Sequence, residues 1–69
     1  MDNNKLFLVR EAQSYFNSKF SDDKERNFKY AEVLVEDVIN NRADYEDAYK
    51  TTDIEELIMK VANDVVNQM

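Results

Sequence analysis

Along most of this chain, apolar residues recur at spacings of three and four, the period of a helix buried on one face. The pattern is clearest near the end, where Ile54, Leu57, Ile58, Val61, Ala62, Val65 and Val66 keep it for more than three turns. Thr52 and Glu55 precede it at the spacing of a capping box, with Thr52 as N-cap. Asp53, Glu55 and Glu56 add negative charge where the helix dipole is positive. This predicts a helix over about 53–67. A second stripe, Phe28, Ala31, Leu34, Val35, Val38 and Ile39, predicts a helix over about 23–40, with Asp22 and Glu25 as its capping pair. Lys29, Glu32, Glu36 and Asn40 fall on its other side.

The first helix, over about 4–18, carries Leu8, Val9, Ala12, Tyr15 and Phe16, with Leu6 at one edge. Phe7 and Tyr30 lie off their stripes and read as contacts on a second packed face, with exposed anchors as the alternative. Phe20 belongs to the turn Phe20-Ser21-Asp22. The weakest segment is 44–50, where Tyr45, Ala48 and Tyr49 make a single apolar turn. Asn40-Asn41 is the expected break before it, since Asn tolerates the left-handed conformation. The alternative is one helix running through Lys50, because Tyr45 and Tyr49 continue the stripe of Val38. The expected fold class is all-α: one domain over 1–69, a small antiparallel bundle of three long helices plus one short helix. Three stripes and a short fourth segment leave an apolar edge that a homodimer would cover.

Composition supports helix. Gly and Pro are both absent, which removes the main helix breakers and the easiest hairpin turns. A chain of 69 residues has a marginal core, and such domains often rely on disulfides or a metal. Cys and His are absent too, so disulfides and the usual zinc ligands are excluded. The apolar run Leu6 to Val9 is too short for a signal peptide or a membrane span. Together with the missing Cys, this points to the cytoplasm. Abundant Asn and Lys, together with Ile, Phe and Tyr, use AT-rich codons, which suggests a low-GC bacterium, its phage or a mobile element.

The same absences bear on chemistry. Nucleophile–base catalysis has neither thiol nor imidazole to work with. No glycine-rich loop exists to cradle phosphate. Carboxylate–metal chemistry is the remaining enzymatic option: Glu32 and Glu36 share a helix face, and Glu56 and Asp64 could approach from the last helix, in an enzyme assembled as a dimer. Acids on a solvated helix face are the more ordinary reading. A calcium loop starting at Asp44 places Glu46 and Glu55 correctly but puts Ala48 at a ligand position and Tyr49 where Gly is required. No metal or cofactor is therefore expected, and no enzymatic activity.

Net charge is −6 and is unevenly spread. Residues 1–35 balance. Residues 36–69 hold Glu36, Asp37, Asp44, Glu46, Asp47, Asp53, Glu55, Glu56 and Asp64 against Arg42, Lys50 and Lys60. Binding to nucleic acid or an anionic membrane needs the opposite sign. As a DNA-recognition helix, the last segment would offer Lys60 alone. The expected partner is instead another protein with a basic surface. Tyr45 and Tyr49, amphipathic residues favoured at interfaces, sit among Asp44, Glu46, Asp47, Asp53, Glu55 and Glu56, and these eight are the candidate interaction residues. The function this supports is a small acidic, non-enzymatic regulator or inhibitor acting through a helical surface. A variant of it is a phosphate-mimicking, immunity-type inhibitor that fills the basic site of a nucleic-acid-binding protein.

Overall fold

The computed structural model describes residues 3–68. Among these, the chain forms α1 (Asn3–Lys19), α2 (Lys24–Asn40), α3 (Arg42–Tyr49) and α4 (Ile54–Gln68), with no strand. This is the all-α bundle of three longer helices and a short one that the periodicity predicts. Each boundary lies within two residues of its expected place.

Local chemistry sets those boundaries, and it corrects both capping assignments by one residue. Asp23, not Asp22, caps α2: its Oδ1 accepts from the Arg26 backbone N–H at 2.9 Å. Asp22 is instead paired with the Arg26 guanidinium at 3.2 Å. At α4, Asp53 rather than Thr52 accepts from the N–H groups of Glu55 and Glu56, at 3.0 and 3.3 Å. The Thr52 carbonyl accepts from Arg42 at 3.1 Å. In both places the capping side chain belongs to the residue directly before the first helical one, since only from there does its oxygen reach the unpaired N–H groups of the first turn.

The break between α2 and α3 falls at Asn41, so the single long helix does not form. Nor is Asn41 left-handed: its φ and ψ are −122° and 34°. Its side-chain Nδ2 donates to the Asp37 carbonyl at 3.1 Å, so a terminal acceptor of α2 is satisfied without a left-handed turn. The left-handed residue is Lys50, at φ 58° and ψ 41°, where α3 stops.

The core is built by three helices. Leu8, Val9, Ala12 and Phe16 come from α1, Ala31, Leu34, Val35 and Val38 from α2, and Leu57, Ile58, Val61 and Ala62 from α4. All twelve lie on the stripes read from the sequence. α1 and α2 run antiparallel: Lys5 pairs with Glu36 at 3.3 Å at one end, and Asn27 Nδ2 donates to Asn17 at 2.8 Å at the other. Asn27 is fully buried and also donates to the Phe20 carbonyl at 2.6 Å, which ties the turn between the two helices to the start of α2. α4 is joined to α1 by the Tyr15 hydroxyl, which donates to Asn63 at 2.8 Å. The Cα trace measures 33 × 31 × 14 Å. A thickness of 14 Å is that of two helix layers packed about 9 Å apart, so the body is a slab with two broad faces.

Several apolar residues are more exposed than the sequence predicts. Phe7 and Tyr30 do not form a second packed face; they are 47% and 40% exposed. Ile39 is 38% exposed, because it sits about 100° beyond Val38 around the helix. Ala48 is also exposed, and α3 places no residue in the fully buried core.

Candidate functional site

α3 brings the two tyrosines of the acidic stretch side by side. Their rings stack with centroids 6.3 Å apart and planes 22° from parallel. Both are half-buried against the edge of the core. Tyr45 donates its hydroxyl to Asp37 Oδ2 on α2, and Tyr49 donates to Asp64 on α4 at 2.5 Å. The two side chains thus pin α3 to both neighbouring helices. The carboxylates leave their mark on the phenols. The hydrogen bond to Asp64, then burial, then the charges of Asp64 and Tyr45, push the Tyr49 hydroxyl up to about 12. Tyr45 is raised from its ordinary value by the hydrogen bond to Asp37, by burial and by the Asp37 charge, in that order.

Most of the acids around the tyrosines have local partners. Glu46 is paired with Arg42 at 2.8 Å, Asp47 with Lys50 at 3.7 Å and Glu56 with Lys60 at 3.1 Å. Asp53 is occupied as the cap of α4. Asp44 and Glu55 are exposed and make no ion pair among the described residues. Of the carboxylates considered for a metal, Glu36 is held by Lys5, Glu56 by Lys60, and Asp64 by Tyr49. Among the described residues, no group of three Asp or Glu converges on one point.

The feature that the acidic stretch does not contain is a groove. It has a volume of about 600 Å³ and is lined by Phe16 of α1, Tyr30, Val33, Leu34 and Asp37 of α2, Tyr45 of α3, and Val61 and Val65 of α4. Its size lies inside the roughly 300–1,000 Å³ range of ligand clefts. Tyr30 packs edge-on against the buried ring of Phe16, with centroids 6.5 Å apart, and carries the Arg26 guanidinium over its face at 5.8 Å. Val33 stands open, 68% exposed. Asp37 is the single charged group in the lining, and two donors orient it: Tyr45 on Oδ2, and Asn41 Nδ2 on Oδ1 at 3.1 Å.

Of the eight candidate residues, the structure brings Tyr45 to this groove, stacks Tyr49 against Tyr45, and leaves the acids outside the lining, on α3, at the cap of α4 and in its first turn. Tyr30, Val33, Asp37 and Val65 were not among the eight. A signal for them exists in the sequence: Tyr30, Val33, Leu34 and Asp37 form a second i, i+3, i+4, i+7 row on α2, beside the core stripe. Among the described residues, no helix is long and apolar enough to cross a membrane. Comparison of the chain with protein-family models, curated proteins and solved structures found no match in any of the three.

Proposed function

We propose that this protein is a small acidic, non-enzymatic regulator or inhibitor that binds another protein with a basic surface through the groove between α2 and α4. The observation that carries the reading is the groove itself: an open apolar trough whose rim exposes Tyr30 and Val33 and whose single charge is the fixed carboxylate of Asp37. Exposed apolar surface around a polar anchor is what an interface needs at its centre. The acids of α3 and α4 add to association rate and partner choice by attracting a basic surface, even where each is locally paired. A basic partner also answers the one-sided charge of the chain, since a second copy would bring the same excess of acid to the contact. A chain without Cys suits a reducing cytoplasm, and a composition rich in Asn and Lys and free of Gly and Pro suits an AT-rich phage or mobile-element origin.

The test is crosslinked capture from cells that make the protein, comparing the natural chain with a Tyr30→Ala/Val33→Asp variant. Both positions are on the surface, so the variant keeps its fold, which circular dichroism checks. The expected result is a basic protein recovered by the natural chain and lost with the variant. Recovery of the same proteins by both, or of none by either, overturns the reading.

A further inference from the structure

We infer that the occupant of the groove is an amphipathic helix of the partner, carrying an arginine or lysine that lands on Asp37. The inference rests on the reading above and adds the form and chemistry of the ligand. The shape of the groove favours a helix. Tyr30, Val33, Leu34 and Asp37 form one row along α2, about 10 Å long at 1.5 Å per residue. Val61 and Val65 form an i, i+4 row on α4. Two helices that each present such a row leave between them the groove into which a third helix lays a ridge of side chains. The bundle lacks a helix there. An extended peptide finds less to hold: there is no strand among the described residues, so no sheet edge offers it a ladder of backbone hydrogen bonds.

Charge completes the argument. Asp37 closes one end of the α2 row and is held in place by Tyr45 and Asn41. A carboxylate offers about four acceptor sites, so two remain for an incoming cation. Arg26, whose guanidinium lies over Tyr30, is at the opposite end of the row and is paired with Asp22. A partner helix with apolar residues at i, i+3 or i+4 and i+7, and one cation at the end that meets Asp37, matches both the trough and its charge.

The experiment is a display selection against the full chain with a library of helical peptides randomised on one face, followed by amide-shift mapping of the enriched sequences. Peptides that become helical on binding, carry Arg or Lys, and shift Tyr30, Val33, Asp37 and Val65 support the proposal. Replacing the peptide's cation with Gln should then weaken binding to the natural chain about tenfold or more. It should leave binding to the Asp37→Asn variant unchanged. Tyr45→Phe, which keeps the groove wall and the carboxylate, controls for any loosening of α3 and should retain the sensitivity to the cation. Enriched peptides that bind the groove extended, or with no dependence on a cation, overturn the inference and leave the protein-binding reading standing. No enrichment, or shifts confined to other surfaces, overturns both. A stable dimer in sedimentation that Val33→Asp dissociates would assign the groove to a second copy and overturn the partner helix.

Discussion

The α1–α2–α4 body and the α3 strap are held by different physics. The body buries twelve apolar side chains in one cluster, four from each helix. α3 buries none completely and is fastened by side-chain hydrogen bonds: Tyr45 to Asp37, Tyr49 to Asp64, and Arg42 to the Thr52 carbonyl. Apolar burial is worth about 1.5–3 kcal/mol for a large side chain, and an intramolecular hydrogen bond about 0.5–1.5 kcal/mol net. The body therefore determines whether the chain folds. The strap determines how one wall of the groove is held. An element fastened by a few partly exposed hydrogen bonds also opens more readily than the core does, which allows the Tyr45 wall to adjust to an occupant without unfolding the rest.

The sharpest way to break this contrast is to empty the core. Leu57 is fully buried between the three long helices. Leu57→Ala should cost about 3–5 kcal/mol, the transfer term plus a residual cavity. That is a large part of the stability of so small a domain. Thermal melts followed by circular dichroism should show the variant mostly unfolded or shifted down by more than about 12 °C. A loss below about 1 kcal/mol would mean that the core does not govern folding.

Next in size is a cut at the strap. Tyr49→Phe keeps the ring and its stack on Tyr45 but removes the donor to Asp64. The cost should be about 1–2 kcal/mol. Amide exchange should quicken across α3 far more than in α1, which is the distinguishing result. The pH dependence carries a definite sign. The folded-state value of Tyr49 is raised from 10.0 to about 12, so the folded state holds this proton more tightly than the unfolded chain does. The stabilisation is fully present below pH 10 and is lost as pH rises through about 12. The advantage of the natural chain over Tyr49→Phe should shrink across that window, and an advantage that grew there would contradict the bond.

The division between body and strap also explains how much could be read in advance. Every core residue lay on a periodic stripe, because burial on one face of a helix imposes the period directly. Asn27 sits on the α2 stripe, four residues before Ala31, yet is polar; its burial depends on acceptors at Asn17 and Phe20 from another helix and a turn, which no local pattern announces. The groove was legible only in part. Tyr45 stands out by its residue type, but Asp37 gains its role from the hydrogen bond it accepts from a residue eight positions on and from lining the groove with Val61 and Val65 of α4. Each cap lies one position from where the pattern puts it because Asp22-Asp23 and Thr52-Asp53 are tandem candidates, and the choice within each pair belongs to backbone geometry.

That last point gives a finer cut within the body. Asp53→Ala should cost about 1 kcal/mol, since it strips the acceptor from two N–H groups of the first turn of α4. Thr52→Ala should cost only a few tenths, because Thr52 contributes its carbonyl to Arg42 and alanine keeps that group. The pair is compared by denaturant unfolding. Equal losses, or a larger loss at Thr52, would return the cap to Thr52 and place the start of α4 one residue earlier.

The last expected effect is a gain, and it falls where the strap ends. Lys50 is the one described residue other than glycine with positive φ. A side chain in the left-handed region crowds its own backbone, at a cost of roughly 1–2 kcal/mol that glycine does not incur. Its ion pair with Asp47, 3.7 Å long with both side chains largely exposed, offsets little of that. Lys50→Gly should therefore stabilise the chain by about 0.5–1 kcal/mol, after allowance for the greater freedom glycine gives the unfolded state. Lys50→Asn should fall between, and Lys50→Ala should gain nothing. If the gain appeared as slower exchange in α3 and the adjoining turn, with the α1 amides unchanged, the strap would be shown to carry its own local stability. If instead α1 and α3 were protected equally, the strap and the body would open as one unit, and the adjustable wall proposed for the groove would lose its basis.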